Sequence, residues 1–462
     1  MSADLDQLFG SLRADSDRIP LPLAAGARAR GGRRRRNSVI ASVLAVALVA
    51  AGVTSGLLLT GREDVTLPPA RVNFVPLEQV GPGVSGEFPG RTFVWGQAAG
   101  GDAYFTWRSE TTGQLMVAGV QLPTGKPAWP ARELGKYGDF AGSFLAPGVL
   151  GVMGERDDGS PLDRRLHVVD LSTGQERWAL DFDINQGGDL TPTTGGLLVT
   201  GENGGQLRLL DWASGKALWT MPSSQGTVVA TTVATAEALD NRPLVLQAPD
   251  GALSLLTLPD MQPRPLGQRM QGRLTVIGGR VYASTEGGPV TVLDLAGGAP
   301  RPFHTPANGA RAGMIQPCGP GLVCVQEESR TGEAMMVLDA ATGARKWQVG
   351  GDYGRGRGGP VSTVGDRILG AEGMYSPSGK LLYRSGQAIL SPVGPAAALA
   401  IQYPGSPGMG GGDQPVQVSG VDASDGHVTP LGTIRAGYGC VADNQYLACP
   451  DAAGFKVWRF SK

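Results

Sequence analysis

One pattern constrains the fold of this chain more than any other feature: an apolar pair, Asp, two residues, Thr or Ser, Gly, three residues and Trp. It reads VVDLSTGQERW with Asp170, Thr173, Gly174 and Trp178, and LLDWASGKALW with Asp211, Ser214, Gly215 and Trp219. It returns as VLDAATGARKW with Asp339, Thr342, Gly343 and Trp347. A fourth copy, VQLPTGKPAW, keeps Thr124, Gly125 and Trp129 but has Gln121 at the Asp position. Weaker copies keep the frame around Asp260–Met261, Asp294–Gly298, Gly379–Tyr383 and Asp422–Gly426. The turn positions, 125, 174, 215, 261, 298, 343, 379 and 426, are about 43 residues apart on average. That period is the length of a four-stranded propeller blade, a unit that buries its apolar faces only by stacking on copies of itself.

The chemistry of the pattern agrees with the period. The apolar run before the Asp reads as a strand. Gly supplies a positive φ at the turn without steric cost, and Asp and Thr side chains bond the turn backbone. The Trp then opens the outer strand and is expected to pack between neighbouring blades, where its large apolar area supplies much of the inter-blade energy. Two further strands stand upstream of each turn, as in 197–202 and 206–212. With 72 Gly and 34 Pro in 462 residues and 41% hydrophobic residues, the composition suits many short strands and argues against a helical bundle. The expectation is an all-β propeller of four-stranded blades. After the eighth turn, GYGCVADN, QYLACPD and FKVWRF supply three more strands, and VNFVPL (72–77) can supply a fourth from the N-terminal side. Taken literally this gives nine sheets; eight blades is the number adopted, with seven or nine admitted.

These copies resemble the PQQ-like β-propeller repeat, D-x-x-T-G-x-x-x-W, over roughly residues 72–460. The resemblance implies a scaffold shared by quinoprotein dehydrogenases, BamB-like assembly lipoproteins and membrane-tethered propellers. A quinone enzyme of this kind needs a stacking floor, a calcium site and a catalytic Asp. Many carry a disulfide between adjacent cysteines, and this chain has no adjacent cysteines and no C-x-x-C-H haem motif. The acidic stretch GERDDGSPLD (154–163) lacks the alternating order of a calcium loop. The resemblance thus carries the scaffold and no cofactor. No catalytic or metal-ligating residue is assigned, and cofactor-binding residues stay unidentified.

Charge and hydropathy divide the chain. Residues 1–37 carry eight Arg against four Asp, six of the Arg within 28–37. Residues 38–60, SVIASVLAVALVAAGVTSGLLLT, carry no charge. As a helix of 23 residues they would span about 34 Å, enough for a bilayer core. The basic flank precedes this segment, so the positive-inside rule places residues 1–37 in the cytoplasm and the bulk of the chain outside. A cleaved signal peptide competes, with small residues at Ala45-Val46-Ala47, but the apolar run exceeds the usual h-region and the n-region is long. The uncleaved anchor is adopted. The division is a cytoplasmic Arg-rich tail (1–37), a transmembrane helix (38–60), a linker (61–71) and an extracytoplasmic propeller (72–462).

The remaining candidates are few. Cys318 and Cys324 in CGPGLVC, and Cys440 and Cys449 in CVADNQYLAC, each bracket a hairpin turn and are expected to form two local disulfides in an oxidising compartment. His167, His304 and His427 fall in three different units and read as strand or surface residues. The loops at 350–360, containing GRGRGG, and at 403–415 are long enough to carry a binding surface. A net charge of −1 excludes bulk basicity as a route to nucleic acid. The expected role is a membrane-anchored, non-enzymatic interaction or sensing module with a protein, peptide or glycan partner. A PQQ-dependent oxidoreductase at the cell surface is the alternative.

Overall fold

The computed structural model describes residues 72–85, 94–156, 163–182, 189–202, 206–221, 227–229, 244–257, 262–307, 309–330, 332–349, 362–370, 372–386, 388–404 and 413–462. They lie in one compact unit, Pro69–Lys462. The strands form nine four-stranded antiparallel sheets. Eight follow one another up and down along the chain, at 94–136, 139–182, 189–221, 227–269, 273–304, 311–349, 362–384 and 388–436. These are blades 1 to 8. Blade 9 combines the two ends of the unit: Val441–Ala442, Tyr446–Asp451 and Gly454–Ser461 are completed by the N-terminal strand Phe74–Ser85.

The propeller therefore has nine blades, and the expected eight is corrected. The eight turn signatures mark blades 1 to 8, one each. Blade 9 has no such turn, because its third and fourth strands are joined by hydrogen bonds between distant segments: Phe74 pairs with Ser461 and Val80 with Val457. Counting turns misses the one blade whose last junction is not covalent. No helix stands among the described residues, and none there is long and apolar enough to cross a membrane. The expected helix at 38–60 lies outside the described residues.

The innermost strands run in succession around the axis. Val441–Ala442, Val94–Ala99, Asp139–Ala146 and Asp189–Thr193 neighbour one another in that order, and Ser362–Val364, Ala388–Pro392 and Val441–Ala442 do the same. Each blade is covered on both faces by its neighbours, so its two middle strands are buried continuously rather than in alternation. In blade 2, Val149, Leu150 and Val152 and then Leu166, Val168 and Val169 are fully buried. The core is accordingly a series of inter-blade layers. One joins Val149, Leu166 and Phe182 of blade 2 to Leu197, Val199 and Trp212 of blade 3. Another joins Leu399, Ile401 and Val418 of blade 8 to Leu447, Trp458 and Phe460 of blade 9.

Candidate functional site

The repeat residues are placed at the blade junctions. Trp129 is 4% exposed. Its indole N–H donates to the Leu171 carbonyl in blade 2 at 2.9 Å. Its ring lies against Gly174, where φ is +67° and an added Cβ would stand 2.4 Å from the indole. Trp178 repeats the arrangement one blade on, donating to the Trp212 carbonyl at 3.0 Å against Gly215. Trp347 donates to the Pro377 carbonyl at 3.0 Å against Gly379. Trp219 is half-buried and packs with Leu207 and Met221 against Leu244 and Leu246 of blade 4. Asp170, Asp211 and Asp339 close the turns, each accepting from a Ser or Thr hydroxyl and a backbone N–H two or three residues on. These bonds hold Asp339 at a pKa of about 2, and pull Asp170 and Asp211 down as well.

Where the Trp is missing, other groups make the same junction, which the repeat pattern did not show. Gly343 faces the backbone carbonyl of Phe303, 2.0 Å from where a Cβ would be. There Arg280 and Arg301 donate to the carbonyls of Ala340 and Ala341 at 2.6 and 2.7 Å. At the junction of blades 9 and 1, Gly81 and Gly125 bring two backbones together, each facing the other segment's carbonyl. Cys318 is bonded to Cys324 and Cys440 to Cys449, with Cα separations of 5.7 and 4.1 Å, tying the first hairpins of blades 6 and 9.

A polar cleft of about 300 Å³ opens between the outer strand of blade 1 and the outer strands of blade 2, lined by Leu134, Lys136, Tyr137, Arg156, Arg165, His167 and Glu176. His167 is 2% exposed, in a strand buried on both faces. A His so placed must find partners, because an unpaired buried polar group costs about 1–3 kcal/mol. Its Nε2 lies 2.6 Å from the Tyr137 hydroxyl, and its Nδ1 meets the Glu176 carboxylate. With Glu176 ionised, Nδ1 carries the proton and Nε2 accepts from Tyr137. Burial lowers the His167 pKa against the opposing pull of Glu176, and burial raises that of Tyr137. Beside this chain, Arg156 and Arg165 both bond Asp181 Oδ1, at 3.0 and 3.1 Å. The sequence reading of His167 as a strand residue holds, yet its hydrogen-bonded role was missed. A His between Leu166 and Val168 in a doubly buried strand was the available signal.

His304 Nε2 lies 2.6 Å from Glu327 Oε1 across the junction of blades 5 and 6. His427 sits in the last turn of blade 8. Among the described residues no group of three or more His, Cys, Asp or Glu is arranged to hold a metal ion. Two large apolar side chains are exposed on innermost strands: Trp95 at 43% and Ile389 at 44%, in blades 1 and 8 on either side of blade 9. Each is the second residue of its strand. They therefore share the end of the propeller at which inner strands begin. The strands Arg345–Val349 and Ala397–Gln402 end on that side, and residues 350–361 and 405–412, which hold most of the two long loops expected from the sequence, lie outside the described residues.

A family model described as outer membrane protein assembly factor BamB matches residues 162–308. Among solved structures, BamB from Moraxella catarrhalis is 18% identical, over 83% of this chain and 98% of that one, with a TM-score of 0.36. The computationally designed Ika8 protein is 12% identical over 84% and 99%, with a TM-score of 0.43. The dihydro-heme d1 dehydrogenase NirN in complex with DHE is 14% identical over 80% and 78%, with a TM-score of 0.41. No curated protein matches the chain.

Proposed function

We propose that this chain is a recognition module, a PQQ-like propeller tethered to a membrane through residues 38–60 and binding a protein or peptide partner outside it. The observation that carries this reading is the exposure of Trp95 and Ile389 at one end of the innermost strands. The other exposed large apolar side chains among the described residues, Leu218 and Val428, stand on outer strands, and exposed apolar side chains gathered on one end are the usual anchors of a binding surface. The match of residues 162–308 to a family described as an assembly factor supports a binding role. The basic flank before residues 38–60 supports the placement outside.

The test is a photoreactive amino acid at position 95 or 389 in cells, with position 218 as control, since Leu218 is exposed on an outer strand. Discrete crosslinked protein bands at 95 and 389, absent at 218, are expected. The same bands at all three positions, or none at the inner two, would refute the reading.

A further inference from the structure

The two disulfides stand at opposite ends of the propeller and differ in reach. Cys318 follows the innermost strand Arg311–Pro317, and both Cys318 and Cys324 are fully buried. That strand pairs with Leu322–Ser329 from Arg311 to Pro317, so the first hairpin of blade 6 has a ladder of its own beside the bond. Cys440 precedes the innermost strand of blade 9, at the end that carries Trp95 and Ile389. It is half-buried, whereas Cys449 is fully buried among Leu399, Leu447, Trp458 and Phe460. The strand it leads into, Val441–Ala442, meets its neighbour only at Val441–Ala448 and Ala442–Leu447. The Cys440–Cys449 bond is the next rung of that short ladder. This strand backs the exposed apolar pair. A Cβ at Gly96, the residue after Trp95, would stand 2.6 Å from both the Gly439 carbonyl oxygen and Val441 Cγ1, and a Cβ at Gly439 would stand 2.1 Å from the Val94 carbonyl oxygen. Residues 439–441 are therefore pressed against the backbone on either side of Trp95. Val441–Ala442 also neighbours Ala388–Pro392, the strand of Ile389.

We propose that the Cys440–Cys449 disulfide is a redox switch of the recognition surface: closed, it holds the strand between Trp95 and Ile389 in place, and open, it lets that strand go and weakens partner binding. The inference rests on the recognition reading above. Accessible disulfides are the labile and regulatory ones, and access decides which sulfur is attacked. A thiolate of a dithiol reductant attacks Cys440 Sγ, the reachable sulfur, and Cys449 leaves as a thiolate that takes up a proton. The second thiol of the reductant then displaces Cys440, which leaves and is protonated likewise. Two electrons and two protons pass to the chain, and the dithiol becomes a disulfide. Both products have a place. Cys440 Sγ lies 3.8 Å from the Gly437 carbonyl oxygen and 3.4 Å from the Tyr403 hydroxyl, so its thiol has polar partners waiting. Cys449, in its apolar cluster, acts as a small hydrophobic side chain once reduced. The open form thus leaves no strong polar group buried and unpaired, and the bond can close again.

Limiting dithiothreitol applied to the full chain in detergent, followed by alkylation and peptide mapping, reads the order of opening. Cys440–Cys449 is expected to open about tenfold faster than Cys318–Cys324, or more. Equal rates, or the reverse order, overturn the proposal. A second arm repeats the crosslinking at positions 95 and 389 in C440S/C449S, with C318S/C324S as the control. Crosslink yield should fall several-fold in the first variant and persist in the second. A merely structural role would lower both through lost stability, so a fall in both variants, or in neither, sinks the switch. Should C440S/C449S fail to fold by circular dichroism, the parent crosslinked before and after selective reduction takes its place, with the same fall expected and an unchanged yield overturning the proposal. The two failures are distinct: bands absent from the parent refute the recognition reading, and bands present in the parent but unchanged in C440S/C449S refute the switch alone.

Discussion

Each Trp dock combines a stacked ring with one directed bond, and the two parts are separable. Trp129→Phe keeps apolar area but leaves the Leu171 carbonyl without its donor, a loss of about 1–3 kcal/mol. Gly174→Ala drives a Cβ into the indole and costs about 1–3 kcal/mol by overpacking, with added strain from the positive φ. Urea midpoints of the two single variants and their combination should show the pair to be non-additive, since one contact is lost twice. His167 offers a second test. Burial holds its folded pKa below the ordinary 6.5, so above 6.5 the ring is neutral whether the chain is folded or not. As pH falls through 6.5 toward the lowered folded value, the unfolded chain takes up the proton first and stability drops. His167→Gln should flatten that part of the melting-temperature profile between pH 7 and 5. A profile identical to the parent would remove His167 from the account of the cleft.

At the level of strands and hairpins, the disulfides and the blade count show what the sequence can and cannot tell. Both Cys pairs were legible because a hairpin brings its flanks within bonding range, and each closes a short loop, with sequence separations of 6 and 9. Replacing Cys318 and Cys324 together by Ser should lower stability by about 2–3 kcal/mol. Thiol titration should find four reactive groups in the denatured parent only after reduction. The Trp, Gly and Asp of the strong copies were legible because each has a local job. The substitutes were not: Arg280 and Arg301 replace an indole by reaching across a blade boundary, and Gly81 meets Gly125 from the far end of the chain. The polar cleft was illegible for the same reason. Its residues come from three strands and two connections, and no interval in the sequence brings Lys136, Arg156 and Asp181 together.

For the molecule as a whole, the proposed topology predicts that protease applied to cells with the wall removed trims residues 72–462 and spares 1–37. Immunoblots with epitopes in the two regions check it, and protection of the propeller would reverse the orientation. The closure of blade 9 has a consequence in time. Glu78 and Arg459, which pair across that closure, are separated by 381 positions. At roughly 5–20 residues per second, synthesis leaves Phe74–Ser85 waiting on the order of 20–80 s for its partner strand. Blades 1 to 8 can each zip as they emerge, since every strand in them pairs with one made just before or after it. Phe74–Ser85, the first of the described strands to be made, is therefore among the last of them to be paired, and until Gly454–Ser461 arrives the nascent chain carries an open β edge, the template from which strands of other chains can add. Release of a chain truncated before Gly454 would leave that edge open for good, because Gly454–Ser461 is the strand with which Phe74–Ser85 pairs.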